Sequence, residues 1–253
     1  MQEKPLVSII TPSFNQGVFI EETIQSVLSQ DYQAIEYIIV DGGSTDSTLE
    51  VLRRYDGNIR WISEPDRGQA DAVNKGMGMA RGAIIGWLNS DDTYNPGAVG
   101  TAVKYFLAHP EIVMLYSDAY FINKSSHIIG EYPTKEFALK HLSRRCIICQ
   151  PSVFMKANVI GDIGMLDTDL HTCMDYEYWI RIGKAFPQNR IAYIKGTYFA
   201  NSRVYKENKT FGMRKKVYEE VMMMQRKYFG RIATRWIYGY IKEVVIGLEA
   251  KKY

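Results

Sequence analysis

Two adjacent carboxylates, Asp91 and Asp92, stand just past an apolar run at residues 83–88 and are introduced by Asn89-Ser90. Like charges this close repel each other unless a positive group lies between them. A hard divalent cation is one such group, because Mg²⁺-type sites take one or two carboxylates and complete the shell with substrate phosphate oxygens. An ordinary turn or helix cap also uses Asp-Asp pairs, and the pair alone leaves both readings open. Two more acidic residues follow other apolar runs: Asp41 in Asp41-Gly42-Gly43 and Asp66 in Glu64-Pro65-Asp66. Cys146-Ile147-Ile148-Cys149 has the spacing of half a zinc site, with His141 and Cys173 as further donors. A structural zinc site usually needs two such pairs, so the expected role of these cysteines is as small buried hydrophobes.

These residues act together only if the fold gathers them. Residues 6–10, 37–40, 59–62 and 83–88 read as strands, the last buried on both faces. Residues 18–30 read as a helix with Ile20, Ile24, Val27 and Leu28 on one face. Ser47-Thr48-Leu49-Glu50 reads as a capping box opening a second helix, and residues 68–81 as a third. Asn95-Pro96 reads as the N-cap and first-turn proline of a helix running to Ala108. This alternation predicts a parallel, doubly wound sheet. Ligands bind outside the carboxyl ends of such strands, so Asp41, Asp66, Asp91 and Asp92 are expected along one edge. Beyond Glu111 the reading is a half-exposed strand over 116–122, a strand at 152–155, a helix over 175–185, and a strand pair at 191–194 and 197–199. These are expected to continue the same sheet.

The 253 residues, 46% hydrophobic and 23% charged, suit one generous domain or a domain with an appended piece. No run of eighteen apolar residues and no signal-peptide pattern occurs, and three cysteines suit a reducing compartment. The expected location is therefore cytoplasmic. The net charge of +3 is uneven: residues 206–253 carry 12 Lys+Arg against 5 Asp+Glu, and the rest 19 against 23. In this basic tail Trp236, Ile237, Tyr240, Ile241, Val244, Val245 and Leu248 recur at helical spacing, near Arg226, Lys227, Arg231, Arg235 and Lys242. Such a helix suits an anionic membrane surface or packing on the body or on a second subunit, as in a homodimer. No nucleic-acid partner is expected. The first strand leads into Thr11-Pro12-Ser13-Phe14-Asn15 rather than G-x-G-x-x-G, and no Walker loop occurs. A nucleotide bound here would be held by carboxylates and metal.

Four ordered segments resemble the signatures of family 2 glycosyltransferases with the GT-A fold. They are Ser8-Ile9-Ile10-Thr11-Pro12-Ser13-Phe14-Asn15, Val40-Asp41-Gly42-Gly43-Ser44-Thr45-Asp46, Asn89-Ser90-Asp91-Asp92, and Met174-Asp175-Tyr176-Glu177-Tyr178-Trp179-Ile180-Arg181. The resemblance implies an α/β fold of GT-A type: a Rossmann-like, mostly parallel sheet flanked by helices, with a C-terminal helical extension. Residues 1–205 would be the catalytic domain, divided into a nucleotide-sugar half (1–110) and an acceptor half (111–205), and 206–253 the basic amphipathic tail.

The same resemblance implies roles for individual residues. Asp41 would accept a hydrogen bond from a uracil ring, Asp66 would help hold that base, and Thr11 and Pro12 would line the uridine by main-chain contact. Asp91 and Asp92 match a DXD-type motif that holds Mn²⁺ or Mg²⁺ on the diphosphate and touches the ribose; the sequence does not divide those two roles. Asn89 stands where aspartate is frequent, with an amide oxygen that still suits a hard cation. Arg203 and Lys209 would belong to a loop closing on the diphosphate, where arginine suits bidentate phosphate contact, and Tyr205 stands where histidine is frequent. Asp175 would be the general base of an inverting transfer, preceded by Met174 where an acidic residue is common. Gln150 and Trp179 would lie on the acceptor side, and Arg67, Gly68 and Asn74 near the donor.

The implied function is metal-dependent, inverting transfer of a sugar from a nucleotide sugar, foremost a UDP-sugar, to a hydroxyl of a glycan or lipid-linked acceptor. The setting would be surface polysaccharide assembly at the inner face of the cell membrane. The alternatives are a sugar nucleotidyltransferase, which would need a basic glycine-rich loop near the first strand, and a non-catalytic glycan- or membrane-binding protein on the same scaffold.

Overall fold

The computed structural model describes residues 4–247, and Leu248 of the tail pattern lies outside them. Among the described residues the strands are β1 (Val7–Ser13), β2 (Ile35–Asp41), β3 (Arg60–Ser63), β4 (Ile84–Trp87), β5 (Thr93–Tyr94), β6 (Met114–Ile122), β7 (Ile128–Glu131), β8 (Phe154–Lys156) and β9 (Ile191–Arg203). The helices are α1 (Ile20–Leu28), α2 (Thr48–Arg54), α3 (Gln69–Met79), α4 (Ala98–Ala108), α5 (Leu139–Leu142), α6 (Asn158–Ile163), α7 (Met174–Ala185), α8 (Lys209–Gly212), α9 (Arg214–Phe229) and α10 (Thr234–Tyr240). All nine strands join one sheet in the order β3-β2-β1-β4-β8-β6-β9-β5, with β7 added to β6. Pairing is parallel for β1 with β2 and β4, for β2 with β3, and for β6 with β9. It is antiparallel at β8, β5 and β7.

Continuous apolar runs produce this sheet because both of its faces are covered. Successive residues of β1 enter opposite cores: Ile9 packs with α1, α2 and α4, and Ile10 with α3, α7 and α9. Both are fully buried, and each such side chain stabilises the fold by about 1.5–3 kcal/mol. Ile84 and Ile85 of β4 divide between the two cores in the same way. Gly76 lets α3 settle on β1, since a Cβ there would lie 2.4 Å from Ile10 Cγ2.

Four local expectations are corrected. Ser47 makes no cap hydrogen bond at α2; Asp46 does the capping, its Oδ1 accepting from Thr48 N–H at 2.9 Å. Asn95 does not cap α4, which begins at Ala98; its side chain instead bridges Tyr198 O and Asn201, and Gln30 Oε1 accepts from Val99 N–H at 3.1 Å. The strand β6 is more enclosed than expected: Tyr116, Ser117, Ala119 and Ile122 are buried, while Asp118, Tyr120 and Phe121 are half-buried. The expected strand pair at 191–199 is one strand, β9, interrupted where Gly196 takes φ +77° and donates its N–H to Asp118 Oδ2. Both halves pair with β6, so the glycine marks an irregularity and not a hairpin.

The tail satisfies one of its two sequence readings in part. Val217, Val221 and Met224 of α9 join the core, and α9 stops at Gly230 in the left-handed conformation. The helix α10 turns back, with the Trp236 indole donating to Arg144 O at 2.8 Å and the Arg214, Tyr218 and Glu243 side chains bonded together. No helix among the described residues is long and apolar enough to cross a membrane.

Candidate active site

The carboxyl ends of β1, β2, β3 and β4 open on a cavity of about 680 Å³. Pro12 and Ser13 line it from β1, Gly42 from the end of β2, Asp66 from the segment after β3, and Asn89 to Asp92 from the turn after β4. Across from them stand Gln150, Asp175 at the start of α7, and Tyr205 and Lys209 beyond β9. The expected gathering of carboxylates along one edge holds for Asp66, Asp91 and Asp92, with Asp175 joining them, while Asp41 does not line the cavity. Asp66 lies flat against the main chain because residue 42 is glycine, where a Cβ would sit 2.5 Å from Asp66 Oδ2.

The geometry separates Asp91 from Asp92. Asp92 is 3% exposed, and both of its oxygens are held: Oδ1 accepts from Arg203 N–H at 2.8 Å and Oδ2 from Asn89 Nδ2 at 3.1 Å. Asp91 is the less enclosed of the two, and its Oδ2 accepts from the Tyr205 hydroxyl at 2.8 Å. Burial raises the pKa of both carboxyls, and the charge of Asp91 raises that of Asp92 further. A desolvated, mutually repelling oxygen pair is the environment a hard cation fits. Among the described residues no three His, Cys, Asp or Glu side chains converge as a metal cage.

Asp175 occupies the first turn of α7. Burial pushes its carboxyl up to about 6, opposed only by the amides of Tyr176 and of Asp175 itself. Such a carboxylate is a stronger proton acceptor than an ordinary aspartate. Lys209 donates to Gln69 Oε1 at 2.9 Å, and desolvation lowers its pKa against the opposing pull of Asp66 and Asp91.

Several expected contacts lie away from the cavity or line it with their functional atoms already engaged. Asp41 is fully buried, and its carboxylate accepts from Gly43 N–H, from Ser44 N–H and hydroxyl, and from the Ser63 hydroxyl, so it braces the turn after β2. Of the pair expected to line the uridine by main-chain contact, Pro12 lines the cavity, beside Ser13, and Thr11 does not; the Thr11 hydroxyl pairs with the Tyr37 hydroxyl inside the sheet. The Arg203 side chain is 0% exposed. Its guanidinium is engaged by Glu22, Asp91 O, Asn123 O, Lys124 O and Ser126, and stacks over Phe19, so it clamps the turn rather than offering a fork to phosphate. Asn89 Oδ1 already accepts from Gln69 and from the Trp87 indole, so it is not open to a cation. Trp179 is core, away from the cavity. Asn74 tethers Leu166, and Arg67 pairs with Asp71 on the surface. Gln150 and Gly68 do line the cavity. Cys149 and Cys173 are buried in the core, with Cys146 packed against it.

The profile of the family described as glycosyl transferase family 2 matches residues 8–149, more than half of the chain. The chain belongs to glycosyl transferase family 2. It is 30% identical over 220 residues to hyaluronan synthase of Pasteurella multocida, a match covering 84% of this chain but only 22% of that protein. Among solved structures it is similar to Staphylococcus aureus TarS in complex with UDP, with TM-score 0.70 and 18% identity over 97% of this chain and 75% of that one. It is also similar to the mannosyltransferase PcManGT of Pyrobaculum calidifontis in complex with GDP-Man and Mn²⁺, with TM-score 0.68 and 18% identity over 95% of this chain and 70% of that one. These likenesses establish the GT-A fold.

Three features of this family 2 site were not read from the sequence. The Ser13 hydroxyl is buried without a partner, at the wall of the cavity. Gln69 links Asn89 to Lys209. Glu220, on the buried face of α9 with Val217, Val221 and Met224, accepts from the N–H groups of His171, Thr172 and Cys173 and from the Thr172 hydroxyl at 2.7–3.1 Å. It therefore fixes the segment that enters α7 directly ahead of Asp175. An acidic residue at a core-facing helical position was the available signal. Glu220→Ala strands three amide donors beside the site. We expect a stability loss of at least about 3 kcal/mol by denaturant melting, only partly restored in Glu220→Gln, whose amide nitrogen must face one of these donors.

Proposed function

We propose that this chain carries a metal-dependent, inverting glycosyltransferase centre that moves a sugar from a nucleoside-diphosphate sugar, foremost a UDP-sugar, to an acceptor hydroxyl. The observation that carries this reading is the meeting of Asp66, Asp91, Asp92 and Asp175 in one cavity from three separate segments of the chain. Membership of the family supports it, as do the UDP held by one structural neighbour and the GDP-Man with Mn²⁺ held by another. Residues 1–110 would supply the donor half of a catalytic domain, 111–205 the acceptor half, and 206–253 a basic tail. The acceptor would be a glycan or a lipid-linked glycan in surface polysaccharide assembly, met at the inner face of an anionic membrane on which the tail lies.

Asp66, Pro12 and Ser13 receive the nucleoside, and the Ser13 hydroxyl offers it a hydrogen bond. Lys209 places a positive charge toward the diphosphate. Asp91 is the carboxylate that holds the cation, and Asp92, fastened to Arg203 N–H and Asn89, keeps the turn in shape. When bound, a divalent cation supplies Lewis-acid stabilisation of the charge on the departing nucleoside diphosphate. Asp175 takes the proton of the acceptor hydroxyl as its oxygen attacks the anomeric carbon opposite the leaving group. The new glycosidic C–O bond forms while the C–O bond to phosphate breaks, and the configuration inverts.

The test is a thermal-shift panel of UDP- and GDP-sugars with and without Mn²⁺, followed by nucleoside-diphosphate release. A donor at a hundred times its dissociation constant stabilises the native state by about 2.7 kcal/mol, or roughly 5–10 °C at this chain length. The absence of any metal-dependent shift across the panel overturns the reading. Because the base must be ionised, the release rate is expected to rise through pH 6 and level off above it. A base with the ordinary aspartate value would already have levelled off near pH 5.

A further inference from the structure

A second cavity, of about 810 Å³, lies between the segment after α5 and the turn joining α9 to α10. Its walls carry Lys135, Arg144, Arg145, Arg231 and Arg235, with His141 beside them and no acidic side chain. Among the described residues none of these five cations forms an ion pair with a carboxylate. Gathered in one concave site, they repel one another and focus a positive potential. Phosphate oxygens answer that potential, and guanidinium forks suit them in particular.

Just beyond the cavity-lining residue Arg235 the chain exposes apolar side chains. Ile237 and Ile241, with Val245 one further turn on, lie along α10 and its continuation and are 41%, 45% and 67% exposed. The Trp236 indole holds α10 to the cavity wall through its hydrogen bond to Arg144 O. The exposed apolar side chains thus follow the cavity-lining segment within a short stretch of chain. A soluble phosphate compound accounts for the basic cavity and leaves the apolar side chains in water; an amphiphile with a phosphate head accounts for both.

We propose that this cavity binds the phosphate of an anionic phospholipid headgroup while Ile237, Ile241 and Val245 enter the acyl boundary. The chain then docks on a bilayer through a defined headgroup site. The inference deepens the membrane-facing tail described above and does not depend on the roles given to Asp91 or Asp175.

The experiment sediments the full chain with phosphatidylcholine vesicles that contain or lack phosphatidylglycerol. Wild type is expected to bind only the anionic vesicles. The double variant Arg144→Ala/Arg231→Ala should bind them roughly 25-fold more weakly, and Ile241→Ser should bind them more weakly than wild type. The nucleotide-sugar thermal shift should stay unchanged in all variants, so that a failure of the donor site is read separately. Equal binding to both vesicle types overturns the proposal, as does unchanged binding by the double variant. A thermal shift with inorganic pyrophosphate that the double variant loses, without vesicle binding by wild type, assigns the cavity to a soluble phosphate ligand and overturns it too.

Discussion

Asp175→Asn leaves nucleotide-sugar binding intact and lowers sugar transfer by about 10²–10⁴-fold, the usual contribution of a positioned general base. The amide has the shape of the carboxylate and keeps its place in the first turn of α7, but it cannot accept the hydroxyl proton. Loss of fold does not explain such a result, because the sign of the stability change runs the other way. The pKa of Asp175 is raised in the folded state, to about 6, by burial. The native state therefore binds this proton more tightly than the unfolded chain does, and ionisation above pH 6 costs stability. That cost is absent below the ordinary aspartate value near 3.9. At pH 8 the variant should melt at or above the wild-type temperature. Calorimetric titration of the nucleotide sugar with Mn²⁺, beside a transfer assay on the same preparation, separates the two properties. Full transfer by the variant removes Asp175 from the mechanism. Lost donor binding with lost transfer places it in the donor site instead.

The alternation of strands and helices was legible because each element is marked by its own periodicity, and the site's position follows from where parallel strands end. The partners of individual side chains were not legible, because they come from far along the chain. Asp41 carries the expected residue type at the expected strand end, yet Ser63 of the neighbouring strand and the turn at Gly43-Ser44 claim its carboxylate. Arg203 has the chemistry of a phosphate ligand, but Glu22, 181 positions away, meets it first. Tyr205 replaces a frequent histidine and still reaches the site, donating to Asp91. Asp91 and Asp92 are neighbours in sequence and were equivalent to sequence reasoning. They differ because β9 passes beside Asp92 and presents an amide to it, Asn89 holds its other oxygen, and the Tyr205 hydroxyl meets Asp91 instead.

That difference gives Asp91→Asn and Asp92→Asn opposite signatures. In Asp91→Asn the amide oxygen still accepts from Tyr205, and the charge that helps to raise the Asp92 carboxyl is gone. The ligand-free melting temperature should hold or rise. Metal-dependent donor affinity should fall by at least about 100-fold, since even partners one shell removed from a metal cost 10–100-fold. In Asp92→Asn one end of the amide must meet a donor, either Arg203 N–H or Asn89 Nδ2, in a position almost closed to water. An unmatched buried polar group costs about 1–3 kcal/mol, up to roughly 10 °C in melting temperature at this size, offset in part because ionisation of the desolvated carboxyl is itself unfavourable in the folded state. The metal requirement should persist in whatever fraction stays folded. Thermal melts and Mn²⁺ titrations of donor binding on the two variants read both axes at once. If the pattern is reversed, so that Asp92→Asn loses metal dependence at full stability while Asp91→Asn retains it, the two roles are exchanged. The hydrogen bonds from Arg203 and Asn89 would then orient a cation ligand rather than brace a turn.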